Sequence, residues 1–157
     1  MIRREGLEDC VFLPGPMKPE EVRIYMEEAG IFLFTSDRQE GWGAVLNESM
    51  NSGCAVIAGH EAGSVPFLLR DGKNGLVYSS GSADGLADKI AWLLDHPDEQ
   101  RRLGRNAYET ITGEWCAETA AERLIRLAES LLAGGKSPYT GGPCSPAEEL
   151  REDWYKG

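Results

Sequence analysis

The stretch IFLFTSDRQEGWGAVLNESMNSGCAVIA, residues 31–58, decides the fold. It opens on an apolar, aromatic run at 31–35, crosses a polar turn, continues as a helical pattern over 42–52 and closes on a second apolar run at 55–58. Two nearly continuous apolar strands separated by a helix are the sequence form of a parallel sheet covered on both faces. Outward from this unit, further strands are expected at 10–13 and 76–78, and helices at 19–28 and 65–70. Pro19 suits a helix start, because its ring fixes φ and the first turn needs no donor from it. The predicted class is therefore α/β, a Rossmann-like parallel sheet with flanking helices.

After residue 78 the pattern is wholly helical. Ser82 is a helix cap, and Leu86, Ile90, Leu93 and Leu94 follow at helical spacing up to His96 at the helix end and Pro97 beyond it. A helix over 98–111 carries Leu103, Ala107 and Ile111 on one face, and one over 117–132 is expected to bury Leu124, Ile125, Leu127 and Leu131. Trp115, just before that helix, is expected to pack back onto the domain. From Gly134 the run GGKSPYTGGPCSP is too rich in Gly, Pro and Ser to bury much. The chain thus divides into a domain at 1–133 and a tail at 134–157, where 146–155 reads as a short acidic helix carrying Trp154 or as a solvated terminus.

Composition excludes several functions. With 157 residues and 41% hydrophobic content, one domain with a real core is expected. A formal charge of -10, from 16 basic and 26 acidic residues, argues against a nucleic-acid surface, which needs clustered Lys and Arg. No apolar run approaches the roughly 20 residues of a membrane span, so a soluble, cytoplasmic protein is expected. Cys10, Cys54, Cys116 and Cys144 lie far apart, and neither they nor His60 and His96 show metal-ligand spacing. Free thiols and no metal site are the reading. Asn47-Glu48-Ser49 matches a glycosylation sequon but falls inside a predicted helix.

Chemistry gathers where the first of these strands meets the helix. Gly41 and Gly43 permit close backbone approach at a helix start, and such a start binds phosphate through its free N–H groups. Glu48 stands two turns further on, roughly 10 Å along the axis at about 1.5 Å per residue. That is about the reach from sugar to ribose in a nucleotide diphosphate sugar. A carboxylate, with two acceptor oxygens, suits the ribose diol. On the residues alone, Glu48 is equally a carboxylate on the solvent face of its helix. Lys73 reads as a solvated loop lysine.

The segment 40–57, EGWGAVLNESMNSGCAVI, with FLFTS before it, is similar to the Glu-x7-Glu region of family-four retaining glycosyltransferases of the GT-B fold. VFLPG at 11–15, AGSVP at 62–66, DGKNGLV at 71–77 and Glu114-Trp115 extend the resemblance over about 7–131. It implies the nucleotide-sugar-binding, C-terminal half of such an enzyme. By that resemblance Glu40 lies near the donor sugar as the catalytic residue, Gly41, Trp42 and Gly43 border the sugar and phosphate, and Glu48 holds the ribose. The implied reaction moves a sugar from a nucleotide diphosphate donor with retention at the anomeric carbon, without metal or other cofactor, so Glu40 is a stabiliser of charge rather than a nucleophile. Ala55 and Pro66 depart from the family pattern, where a proline and often a glutamate stand.

The same resemblance implies that the acceptor-binding domain and the first two strands of this sheet precede the region covered. In the order 3-2-1-4-5-6 those strands separate the one containing Phe12 from the one containing Phe34. Either these two pair directly, or an N-terminal domain or partner chain fills the gap. The partners expected are a nucleotide-sugar donor and that missing half. The alternative is a non-catalytic nucleotide-sugar-binding or interaction module, or a subunit of a split transferase.

Overall fold

The structure, a computed structural model, describes residues 1–147 and 149–156. Three parallel strands, β1 (Ile31–Phe34), β2 (Ala55–Gly59) and β3 (Leu76–Tyr78), lie in the order β1-β2-β3. Ile31 stands opposite Ala55, and Ile57 opposite Leu76. Because side chains alternate across a strand, the sheet feeds two cores. Phe34, Val56, Ala58 and Val77 face the larger one, while Ala55, Ile57, Leu76 and Tyr78 face the smaller. This explains the continuous apolar runs: each face needs its own cover.

The larger core is closed by α2 (Pro19–Glu28), α3 (Ala44–Asn51) and α4 (Val65–Leu68), which contribute Met26, Leu46, Met50, Val65 and Leu68. Between β3 and the chain end come α5 (Ala83–Asp95), α6 (Pro97–Glu109), a π-helical turn at Thr110–Glu114, and α7 (Ala117–Leu132); a single turn, α1 (Ile2–Glu5), precedes them all. Leu93 of α5 and Leu103 of α6 close the smaller core. Pro19 does open α2, and the Glu21 carboxylate reaches back to accept the Lys18 N–H at 2.9 Å. Ser82 does cap α5, accepting the Gly85 N–H at 3.0 Å, and His96 joins α5 to α6. Helix α6 crosses the amino end of the sheet so closely that a Cβ on Gly104 would stand 2.2 Å from the Gly53 carbonyl oxygen. The carboxyl end is thereby left as the face on which loops gather.

Four expectations are corrected. Residues 10–13 form no strand, and Phe12 and Leu13 are exposed. A parallel strand needs a neighbour for its N–H and C=O groups, and β1 pairs with β2 alone among the described residues. Phe12 and Phe34 therefore do not pair through their backbones. Helix α7 forms, but Leu124, Ile125 and Leu131 on it are exposed and Leu127 is half-buried. The helix over 98–111 ends at Glu109 and widens into the π turn, whose Ile111 is buried.

The tail is the fourth. It turns back on α7, where the Arg123 guanidinium donates to the Gly141 carbonyl at 2.6 Å and lies 4.8 Å above the Tyr139 ring. The Ser130 hydroxyl donates to the Lys136 carbonyl at 2.7 Å. Residues 152–155 make a turn rather than a helix, and Trp154 and Tyr155 pack half-buried against the larger core. Glu148, within the predicted terminal helix, lies outside the described residues. The two aromatic rings give this polar segment enough apolar surface to dock.

Candidate functional site

At the carboxyl end of β1 the chain enters the loop that carries the motif. Asp37 shapes it: its carboxylate accepts the Gln39 N–H at 2.9 Å and its carbonyl accepts the Glu40 N–H at 3.0 Å. Glu40 follows, half-buried. A second loop, leaving β2, closes against the first. The Gly63 N–H donates to the Glu40 carbonyl at 3.2 Å, and a Cβ on Gly63 would stand 1.7 Å from the Gly41 carbonyl oxygen. Only glycine fits there. Beside it the Ser64 hydroxyl is buried without a partner among the described residues.

Gly43 turns the chain into α3. It has φ +73°, the left-handed region that disfavours a side chain, and a Cβ on it would meet the Phe34 ring at 2.4 Å. Being glycine, it caps α3 with no side chain. The Leu46 N–H donates to the Gly43 carbonyl at 2.9 Å, while the Ala44 and Val45 N–H groups have no acceptor among the described residues, so the positive end of the helix keeps two amides open.

Trp42 has another partner set. Its indole N–H donates to Asn47 Oδ1 at 2.9 Å, and its ring lies 5.8 Å from Phe67 and 5.9 Å from Trp115. The Trp42 side chain packs on these two rings while 40% of it stays exposed. Trp115 packs on the larger core as the sequence suggested.

Glu48 lies on α3, exposed, and lines a cavity of about 430 Å³ between α2 and α3. The carboxylate is solvent-facing and also walls a cavity. Met17, Val22 and Met26 give that cavity apolar surface, while Arg23 and Asn51 give it polar groups. None of these carried a sequence signal, because α2 precedes the motif with no spacing relation to it. Arg23 is tied to Glu27 at 2.7 Å. The structure thus brings Glu40, Gly41, Trp42 and Gly43 into one loop and sets Glu48 apart, on the wall of the neighbouring cavity.

A family model, glycosyl transferases group 1, matches residues 1–110. The chain belongs to that family. As a group 1 glycosyltransferase chain it is 30% identical over 125 residues to the GDP-mannose-dependent alpha-(1-6)-phosphatidylinositol monomannoside mannosyltransferase of Mycobacterium tuberculosis, covering 76% of this chain and 32% of that protein. Among solved structures it is similar to the C-terminal domain of the group 1 glycosyl transferase LpcC from Francisella tularensis. That match has a TM-score of 0.66 and 25% identity, over 74% of this chain and 59% of the other. It also resembles a mutant of S. aureus TarM solved with UDP, at TM-score 0.68 and 28% identity over 80% of this chain and 25% of that one. The fold is that of a GT-B C-terminal domain, and the chain spans about a third of the length of the curated relatives it matches.

Proposed function

We propose that this chain is the nucleotide-sugar-binding half of a retaining glycosyltransferase. One observation carries the reading: a glycine-bounded loop delivers Glu40 to the open amino end of α3 while the same helix presents Glu48 to a cavity of about 430 Å³. That volume lies within the range of small-ligand sites. The pyrophosphate would meet the α3 amides beside Gly41 and Gly43, the ribose hydroxyls would donate to Glu48, and the base would rest on Met17 and Met26. Glu40, at the sugar end, would stabilise positive charge as the bond to the leaving phosphate breaks. No bound metal or other cofactor takes part in this scheme.

The acceptor would be held by an N-terminal domain or partner chain that completes the sheet beside β1. Free cysteines at all four positions fit a reducing, cytoplasmic setting. Among the described residues no helix is long and apolar enough to cross a membrane.

The test is the melting temperature of the 157-residue chain with millimolar UDP, GDP or ADP. A ligand that binds only the folded state stabilises it by about 2.7 kcal/mol at a hundredfold excess over Kd. At least one nucleotide should raise the midpoint, and Glu48→Ala should abolish the rise. No shift with any of the three would end the donor-site reading. The second reading is a module that binds donor without transferring sugar. Slow hydrolysis of a bound nucleotide sugar by the wild type and not by Glu40→Gln would decide for the enzyme.

A further inference from the structure

Beyond the Asp37 turn that leads into it, three further features hold the Glu40–Gly43 loop, and they differ in kind. Two are backbone contacts, the Gly63 N–H on the Glu40 carbonyl and the close approach of Gly63 to Gly41. The third is a side chain, Trp42. Glycine on both sides of Trp42 leaves the local backbone little stiffness of its own, so the indole is what ties the loop to the domain by packing. Its ring is inclined 29° to Phe67 and 47° to Trp115, at separations where aromatic pairs attract.

Of these neighbours Trp115 is the better anchored. It is packed against the larger core, and its N–H donates to the Thr110 carbonyl at 3.2 Å, closing the π turn. The Thr110 hydroxyl donates to the Asn106 carbonyl at 2.7 Å and accepts from the Asn74 side-chain amide at 3.0 Å. A π turn adds a residue to a helical turn and so rotates the chain beyond it; such turns recur at functional sites. Here it places the Trp115 ring against Trp42, although the two residues lie far apart in the chain.

We propose that Trp115 is a positioning residue of the donor site. Through Trp42 it holds the Glu40–Gly43 loop in the conformation that presents Glu40 and the open α3 amides together. The inference rests on the donor-site reading above, but the loop anchoring it describes is measurable without any ligand.

The experiment compares the full chain with Trp115→Ala, Trp115→Phe and Ile57→Val, the last removing a methylene from the opposite core. Amide hydrogen exchange at residues 40 and 63, whose N–H groups have acceptors, should quicken roughly tenfold in Trp115→Ala, the scale of one lost aromatic pair, and return to near the wild-type rate in Trp115→Phe. Ile57→Val should leave it unchanged. Titration with GDP and with UDP should show the same order, about tenfold weaker binding for the alanine variant and within about twofold of wild type for the phenylalanine variant. Unchanged loop exchange in Trp115→Ala overturns the proposal, as does equal quickening in Ile57→Val. So does a loosened loop that binds nucleotide as tightly as before. If the wild type binds neither nucleotide while the exchange pattern holds, the anchoring stands and the donor-site reading fails.

Discussion

Two glycines near the motif do different work, and substitution separates them. A Cβ on Gly63 would fall 1.7 Å from a backbone oxygen, which cannot swing aside as a side chain would, whereas a Cβ on Gly41 would meet nothing within 4 Å. Gly63→Ala should therefore cost about 1–3 kcal/mol, the usual penalty of overpacking, read as a lower urea midpoint. Gly41→Ala should leave the midpoint unchanged or slightly higher, because alanine restricts the unfolded chain. Nucleotide binding should nevertheless weaken in Gly41→Ala, since the added methyl would occupy the approach to the phosphate. A midpoint loss in Gly41→Ala as large as in Gly63→Ala would contradict this assignment. Glu48 could be singled out by its place two turns into a predicted helix, and Glu40 by the family resemblance alone. Arg23 and Met17 were not, since nothing in the order of residues says that α2 packs beside α3. Cys54, read simply as a free thiol, is buried, and burial pushes its pKa up while its Sγ–H donates to the Met26 carbonyl at 3.0 Å.

At the scale of elements, caps and runs were more informative than stripes. Ser82→Ala removes the oxygen that accepts the Gly85 N–H and should cost about 1 kcal/mol by chemical denaturation; Ser82→Asn, which supplies another oxygen, should recover most of it. Strands β1, β2 and β3 were readable because each is an unbroken apolar run too short to be a helix. The segment 10–13 has the same composition and forms no strand, and α7 has a clear apolar stripe yet leaves Leu124, Leu131 and Leu132 exposed and Leu127 only half-buried. Periodicity states which face of an element calls for cover; whether cover exists depends on neighbouring elements, which local sequence does not report. The π turn at Thr110–Glu114 was invisible for a related reason, as it arises where Ile111 must reach the core while Trp115 reaches the loop.

For the whole molecule, the tail is the main surprise. A run rich in Gly and Pro gave no reason to expect docking, but two aromatic side chains at its far end bring it onto the larger core. Deleting residues 151–157 should remove about 1–3 kcal/mol of apolar burial and lower the melting midpoint by several degrees. An unchanged midpoint would mean that the turn at 152–155 adds nothing to stability. The exposed side chains of Phe12, Leu13, Leu33 and of Leu124, Ile125 and Leu131 on α7 mark the opposite condition, apolar surface left open to solvent. Under the proposed function, these are where the rest of a transferase would sit.

Trp42 and Trp115, with ring centres 5.9 Å apart, also have an optical consequence. Trp92 lies elsewhere, stacked on His96 at the far end of α5. Excitation passes readily between indoles in contact, so the emission of the touching pair depends on how their rings are disposed. Any event that shifts the Glu40–Gly43 loop changes that disposition, against the emission of Trp92 and of Trp154 in the tail. The protein thus carries a built-in fluorescent reporter of its own loop, and its movements can be followed in real time without a label.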